Sequence, residues 1–396
     1  MKRIALTASI AILACLALSA QTWQTVTVPT NFGITSASFS GNTGYAVAYT
    51  KILKTTDGGL TWTIKSVNNV TLVSCVSFLS PTVGFIGGSY PGYNDMIMFR
   101  KTTDGGLTWK DVDSYMGTQG GKVYSIDMKT EKSGCISAGV KIWVMDSTYS
   151  AAKSIYWSGI TTYSASYNTK KGNCIYAVGN NCYVQNLTSK PLAWGYDKRI
   201  DSHMNDVSFA TKNVGYCVGD SGFAYRIDCD SGIAPFTVTK LYTGVTYPLY
   251  SLYVKDVNTV YAVGMAGTII RTTDGGANWE SMYSGTLWQL RHVCPNGSGT
   301  MYAFGDNGTV LRMDETTTGI AETANAITAA YYDGTIRVSS RADGRVELYD
   351  MTGRTVMSEP LRQGNSEIAV DAPAGAYIVS VTDGKLVLRK KIIVSR

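Results

Sequence analysis

The sequence predicts an all-β protein, a seven-bladed β-propeller followed by a small Ig-like β-sandwich, and three observations carry that prediction. A Gly-Tyr-Ala-Val-Gly-like stretch recurs seven times at spacings of 40 to 50 residues, anchored at Tyr45, Phe85, Cys135, Tyr176, Tyr216, Tyr261 and Tyr302. A period near 40 residues with only strand-type patterning marks a ring of four-stranded blades. No stretch sustains a capped apolar period of 3.6 residues, so helix should be scarce.

The chain opens with Lys2 and Arg3, an apolar run from Ile4 to Leu18, then Ser19-Ala20-Gln21. This reads as a secretory signal peptide over residues 1–20, too short for a membrane span. A rival reading is lipoprotein processing at Cys15; the apolar residues that follow Cys15 argue against it. No later segment is long enough for a transmembrane helix. Loss of the leader lowers the formal charge from +6 to +4. With no basic run between residues 21 and 384, nucleic acid is not an expected partner. Of eight cysteines, Cys15 leaves with the leader, and the odd remainder leaves at least one thiol unpaired within the chain. There is no CxxC and only two histidines, so no metal and no cofactor is expected.

The propeller is expected over residues 21–314. In its best-preserved copy, 249–254 is an inner strand, 259–263 a second, Gly264 to Gly267 a hairpin turn, 268–272 a third, and 278–282 an outer strand. The turn before the outer strand repeats a motif: Thr55-Thr56-Asp57-Gly58-Gly59-Leu60-Thr61-Trp62, again from Thr102 to Trp109, and again from Thr272 to Trp279 with Asn278 in place of threonine. This motif resembles the Asp-box, or BNR repeat, of sialidases and other propellers. A structural role follows for Asp57, Gly59 and Trp62, for Asp104, Gly106 and Trp109, and for Asp274, Gly276 and Trp279. The aspartate accepts amides of its own turn and the tryptophan packs between blades. Three identical catalytic centres on three blades would lie far apart, which argues against a catalytic reading. The seventh copy ends at Asp314 with no Trp strand after it, whereas Thr22-Trp23-Gln24-Thr25-Val26 matches Thr61 to Lys65. The N-terminal strand should therefore complete the last blade. Over roughly residues 22–314 the chain also resembles the photosystem II stability/assembly factor-like family, from which only the fold is carried over.

The inner strands alternate small polar and apolar residues, such as Ser36-Ala37-Ser38 and Ser164-Ala165-Ser166. Small side chains suit a crowded axis. A ligand channel there would be lined by Asp127, Asp206, Arg291 and His292. The longest insertion, Ser89 to Asp95, offers Tyr90 and Tyr93 as a loop surface.

After a linker over 315–325, residues 326–396 read as strands near 331–339, 344–350, 354–358, 366–370, 375–381 and 386–395. Val346 to Arg354, then Ala374 to Val381, then Lys390 to Val394, resemble a type A C-terminal sorting domain of the type IX secretion system. That resemblance implies type IX machinery as a partner and delivery to the cell surface or outside. The expectation is an exported, non-catalytic binding protein for a glycan or protein. A secreted glycoside hydrolase is the alternative, since Asp-boxes recur in sialidases. The Arg-Ile-Pro motif of those enzymes is missing, and Arg100 is the only arginine between residues 22 and 197. Protease chemistry is disfavoured, because no Gly-x-Ser-x-Gly turn is present.

Overall fold

The computed structural model describes residues 23–91, 96–112, 121–145, 153–156, 161–168, 174–179, 182–185, 194–196, 202–211, 213–228, 237–314, 327–332, 334–340, 343–383 and 386–394. The segments expected as leader, 1–20, and linker, 315–325, lie outside this set. Among the described residues the structure is strand and turn, with short 3-10 turns at Asp220–Gly222 and Met265–Gly267.

Residues 24–313 form seven four-stranded antiparallel sheets. In the first, the order is Ile34–Ser40, Thr43–Ala48, Lys51–Thr55 and Thr63–Ser66. The inner strands of the next six are Leu72–Phe78, Val123–Thr130, Thr162–Asn168, Met204–Phe209, Leu249–Val254 and Leu290–Pro295. Each inner strand lies beside the next, and Leu290–Pro295 lies beside Ile34–Ser40, so the sheets form a closed propeller. The seventh sheet takes its outer strand from the start of the chain: Gln24 pairs with Arg312 and Thr25 with Leu311. This is the closure expected from the Trp23 match, and it removes an open sheet edge. Trp23 is buried with Tyr261, Leu290 and Leu311, wedged between the sixth and seventh sheets.

The second strand of each sheet is apolar on both faces because both faces are covered by neighbouring sheets. In Val260–Gly264 every residue is buried. The anchor rings Tyr45, Tyr176, Tyr216, Tyr261 and Tyr302 are each about 1% exposed. Burying a ring of this size stabilises by roughly 1.5–3 kcal/mol, provided its hydroxyl finds a partner. For three of them the partner is a carbonyl of the following sheet: Tyr45 donates to Pro81 at 2.8 Å, Tyr216 to Val257 at 2.7 Å and Tyr302 to Gly58 at 2.7 Å.

Two of these hydroxyls reach the Asp-bearing turns themselves. Tyr302 bonds Gly58, and Tyr45 also donates to Gly105 at 3.1 Å. Within the first turn, Asp57 accepts the Leu60 and Thr61 amides at 3.0 Å each and the Thr55 hydroxyl at 2.7 Å. Asp104 and Asp274 repeat the pattern. Hydrogen bonds from Thr61 hold the Asp57 carboxyl well below the usual range. Gly59 has φ +99°, and a Cβ there would stand 2.6 Å from the Tyr302 ring. Trp62 donates to the Gly59 carbonyl at 2.9 Å and packs with Phe304 between the seventh and first sheets. In the hairpin expected at Gly264 to Gly267, positive φ falls on Ala266 and Gly267, while Gly264 is extended.

Residues 327–394 build a second all-antiparallel unit of two sheets. One orders Ile327–Tyr332, Thr335–Ser340 and Gly364–Ala369; the other orders Thr355–Leu361, Gly344–Asp350, Gly375–Asp383 and Leu386–Val394. Tyr331, Ile336 and Val338 from the first sheet share a core with Val346, Leu348, Val379, Val381 and Ile392 from the second. Two antiparallel sheets over one core fit the expected Ig-like sandwich. The single strand expected near 331–339 is instead a hairpin: the chain reverses at Gly334 (φ +75°), and Tyr332 pairs with Thr335. The Asp350 to Arg354 turn is tied by the Asp350 carboxylate, which accepts the Thr352 and Arg354 amides at 2.9 and 3.1 Å.

Candidate ligand site on the propeller axis

The seven inner strands enclose a cavity of about 460 Å³ on the axis. Its walls come from the alternating residues noted in the sequence, including Ser36, Ser38, Ser125, Ser164, Asp206 and His292. An inner strand has no neighbour on its axial edge, so alternate amides and carbonyls there need another partner. Polar side chains of adjacent sheets supply it. Val76 and Phe78 donate to Ser36 and Ser38 at 3.2 and 2.9 Å, and Ala165 donates to Ser125 at 3.1 Å. Leu252 donates to Asp206 at 2.9 Å, and the His292 Nε2 lies 2.9 Å from the Ala37 carbonyl. Small polar residues therefore recur at these positions because they join one sheet to the next.

The sequence-derived candidates divide accordingly. Asp206 is fully engaged: beside Leu252, it accepts Val207 N at 2.9 Å, Ser164 Oγ at 2.8 Å and Ser251 Oγ at 3.1 Å. Burial pushes its carboxyl up, against the pull of those four donors. Asp127 is paired with Lys129 at 2.6 Å. Arg291 is clamped by both oxygens of Asp306, at 2.8 and 2.9 Å, and rests 5.4 Å from the Tyr250 ring centre. Burial lowers the His292 imidazole to about 4, which keeps it neutral. These four residues all line the axial cavity. Tyr90 lies elsewhere, at the end of Gly84–Tyr90, bonded to Asp111 and to Arg100. Tyr93 lies outside the described residues. Among the described residues, no cluster of three or more His, Cys, Asp or Glu side chains could hold a metal ion.

One set of residues escaped the sequence reading. Near the start of every inner strand the pairing register slips by one residue, leaving Thr35, Ser74, Tyr124, Tyr163, Asn205, Tyr250 and Arg291 unmatched. Such bulges re-aim a side chain. The short polar ones turn sideways: Thr35 donates to the Ser74 carbonyl at 2.8 Å and Asn205 to the Leu249 carbonyl at 2.9 Å. Thr35, Tyr124, Tyr163, Asn205, Tyr250 and Arg291 all line the cavity. Tyr124 and Tyr163 meet edge to face, with centres 5.5 Å apart. The available signal was the position immediately before the conserved-looking alternation, where residue identity changes from copy to copy while its neighbours repeat.

Residues 332–395 match the family model described as a secretion system C-terminal sorting domain. No curated protein matches the chain. Similar solved structures include YCF48 bound to D1 peptide, 18% identical with a TM-score of 0.57, covering 75% of this chain and 98% of that one. YCF48 from Cyanidioschyzon merolae is 17% identical with a TM-score of 0.58, covering 74% and 98%. The WD40 β-propeller domain of Doa1 is 10% identical with a TM-score of 0.59, covering 75% and 97%. At these identities the likeness is one of fold. The class is thus a β-propeller that carries a C-terminal sorting domain. More particularly, the tail marks the chain for export by type IX secretion to the cell surface or beyond. Among the described residues, no helix is long and apolar enough to cross a membrane.

Proposed function

We propose that this is an exported, non-catalytic binding protein, delivered by residues 326–396, whose propeller presents the ligand surface. The observation that carries the reading is how the axial carboxylates are used. A glycoside hydrolase needs one carboxyl free to donate a proton and another free to attack or activate water. Asp127 and Asp206 line the same cavity, but Asp127 is paired with Lys129 and Asp206 is consumed by four donors that tie the fourth, fifth and sixth sheets together. The Asp57, Asp104 and Asp274 carboxylates are likewise committed to their own turns, which fits a structural role for the Asp-boxes. Binding asks less of the scaffold, because half-buried tyrosines on a rigid ring supply contact area without chemistry. A fold relative solved with a peptide bound makes a peptide or protein a candidate partner beside a glycan. The loop bearing Tyr90 and Tyr93 is the second candidate surface.

The test is to incubate the purified protein with a panel of sialosides and plant and host glycans, and to probe glycan and protein arrays in parallel. Saturable binding without turnover is expected. Cleavage of any glycan in proportion to enzyme would overturn the reading. A hit that disappears on deletion of residues 90–95 would place the surface on that loop.

A further inference from the structure

We infer that the ring of bulged residues at the entrance of the axial cavity is a recognition site for a neutral saccharide, with Tyr124, Tyr163 and Tyr250 as its stacking platforms. This rests on the binding reading above and deepens it.

The placement is built into the backbone. The register slip occurs in all seven inner strands, so seven side chains are turned out of the pleat at one level of the ring. Three of them are tyrosines, although the alternating positions just below carry mostly serine. A purely structural bulge residue would bond the next sheet, as Thr35 and Asn205 do. Tyr124, Tyr163 and Tyr250 line the cavity beside Thr35 and Asn205, and differ from them in bringing an aromatic ring to it.

The chemistry of the wall selects the ligand class. Its charges are compensated locally: Lys129 by Asp127, and Arg291 by Asp306. Asp206 is buried behind four donors, and His292 is neutral. Lys122 stands 5.1 Å from the Tyr124 ring centre but does not line the cavity. The site therefore offers little to attract an anion or a cation. It does offer serine hydroxyls, of which Ser36, Ser38 and Ser125 accept an amide and keep a proton to donate, together with aromatic faces. Sugar hydroxyls both donate and accept, and the C–H face of a pyranose is apolar. A cavity of about 460 Å³ lies within the range that holds a small ligand of this kind.

The experiment uses the full mature chain on an array of neutral oligosaccharides (glucan, mannan, galactan and chitin fragments) and acidic ones, followed by calorimetry with the best hit. Neutral fragments are expected to bind. Tyr163→Ala and Tyr250→Ala should each weaken the interaction about tenfold or more. Tyr163→Phe, which keeps the ring, should retain most of the affinity. Tyr283→Ala, on the 82% exposed loop tyrosine between the sixth and seventh sheets, should leave it unchanged. Unaltered tryptophan fluorescence would confirm that the variants fold. Binding of acidic fragments only, of peptides only, or of neutral fragments with undiminished affinity in both alanine variants would overturn the saccharide site while leaving the protein a binder. Absence of any neutral hit would also overturn it. Turnover of the bound saccharide would instead sink the non-catalytic reading.

Discussion

Acidification should loosen the propeller through one histidine. His292 joins the seventh sheet to the first by a hydrogen bond to the Ala37 carbonyl at 2.9 Å. Burial lowers its pKa from 6.5 to about 4, outweighing that bond. The folded ring therefore favours the neutral imidazole, whereas the unfolded chain takes up a proton below 6.5. The stability this contributes is present above pH 6.5 and drains away as the pH falls toward 4. Integrating the proton uptake between these two values gives a loss of about 2 kcal/mol on going from pH 7 to pH 5. Other groups titrate too. Asp57 and Asp104, held low by their turns, add their losses only at more acid pH. Asp206, pushed up by burial, moves stability in the opposite direction. The readout is accordingly a difference between two proteins. His292→Gln can still donate an amide N–H to Ala37 but cannot titrate. All eight tryptophans precede residue 289, so their fluorescence during urea unfolding follows the propeller and not the tail. The parent should lose about 2 kcal/mol more than His292→Gln between pH 7 and pH 5. Parallel losses in the two proteins would refute the argument.

Further outcomes follow from the same contacts. Gly59→Ala places a Cβ 2.6 Å from the Tyr302 ring at a φ of +99°, and should cost about 2 kcal/mol or more in urea unfolding, whereas Gly244→Ala, at φ +72° with open space around it, should cost about 1 kcal/mol. Trp23→Ala empties the wedge between the sixth and seventh sheets and should cost about 3–5 kcal/mol, measured the same way. Deletion of residues 326–396 should leave the propeller in the periplasm, detected by immunoblot of periplasm, envelope and medium; an undiminished amount in the medium would contradict the sorting role.

The ring was readable in the sequence because its physics is repeated. A second strand buried on both faces must be an apolar run around one large ring, so Tyr45, Tyr216 and Tyr302 stand in phase. The unmatched Trp23 and the bare end at Leu311 disclosed the closure, since a sheet lacking its outer strand leaves backbone groups unpaired. Asp206 and His292 stood out as polar residues at the axis, but their work there was not readable. Whether a carboxylate binds a ligand or the Leu252 amide depends on the edge of the next sheet, which is 46 residues away in sequence. Tyr124, Tyr163 and Tyr250 were missed for a related reason. A bulge is a shift in pairing between two strands, and a single strand's alternation does not display it. The Gly334 hairpin was missed because Tyr331-Tyr332 and Thr335-Ile336 read as one extended run until their mutual pairing is known.

Amide hydrogen exchange at Val76, Ala165 and Leu252 bears on the whole arrangement. These amides point away from their own sheets and are held by Ser36, Ser125 and Asp206 of the preceding ones. If polar side chains fasten each sheet to the next around the axis, all three should exchange as slowly as the paired amides of the second strands. Exchange at the rate of exposed turns would mean that the axial serines and Asp206 are not fastenings, and would return them to the list of groups available for chemistry.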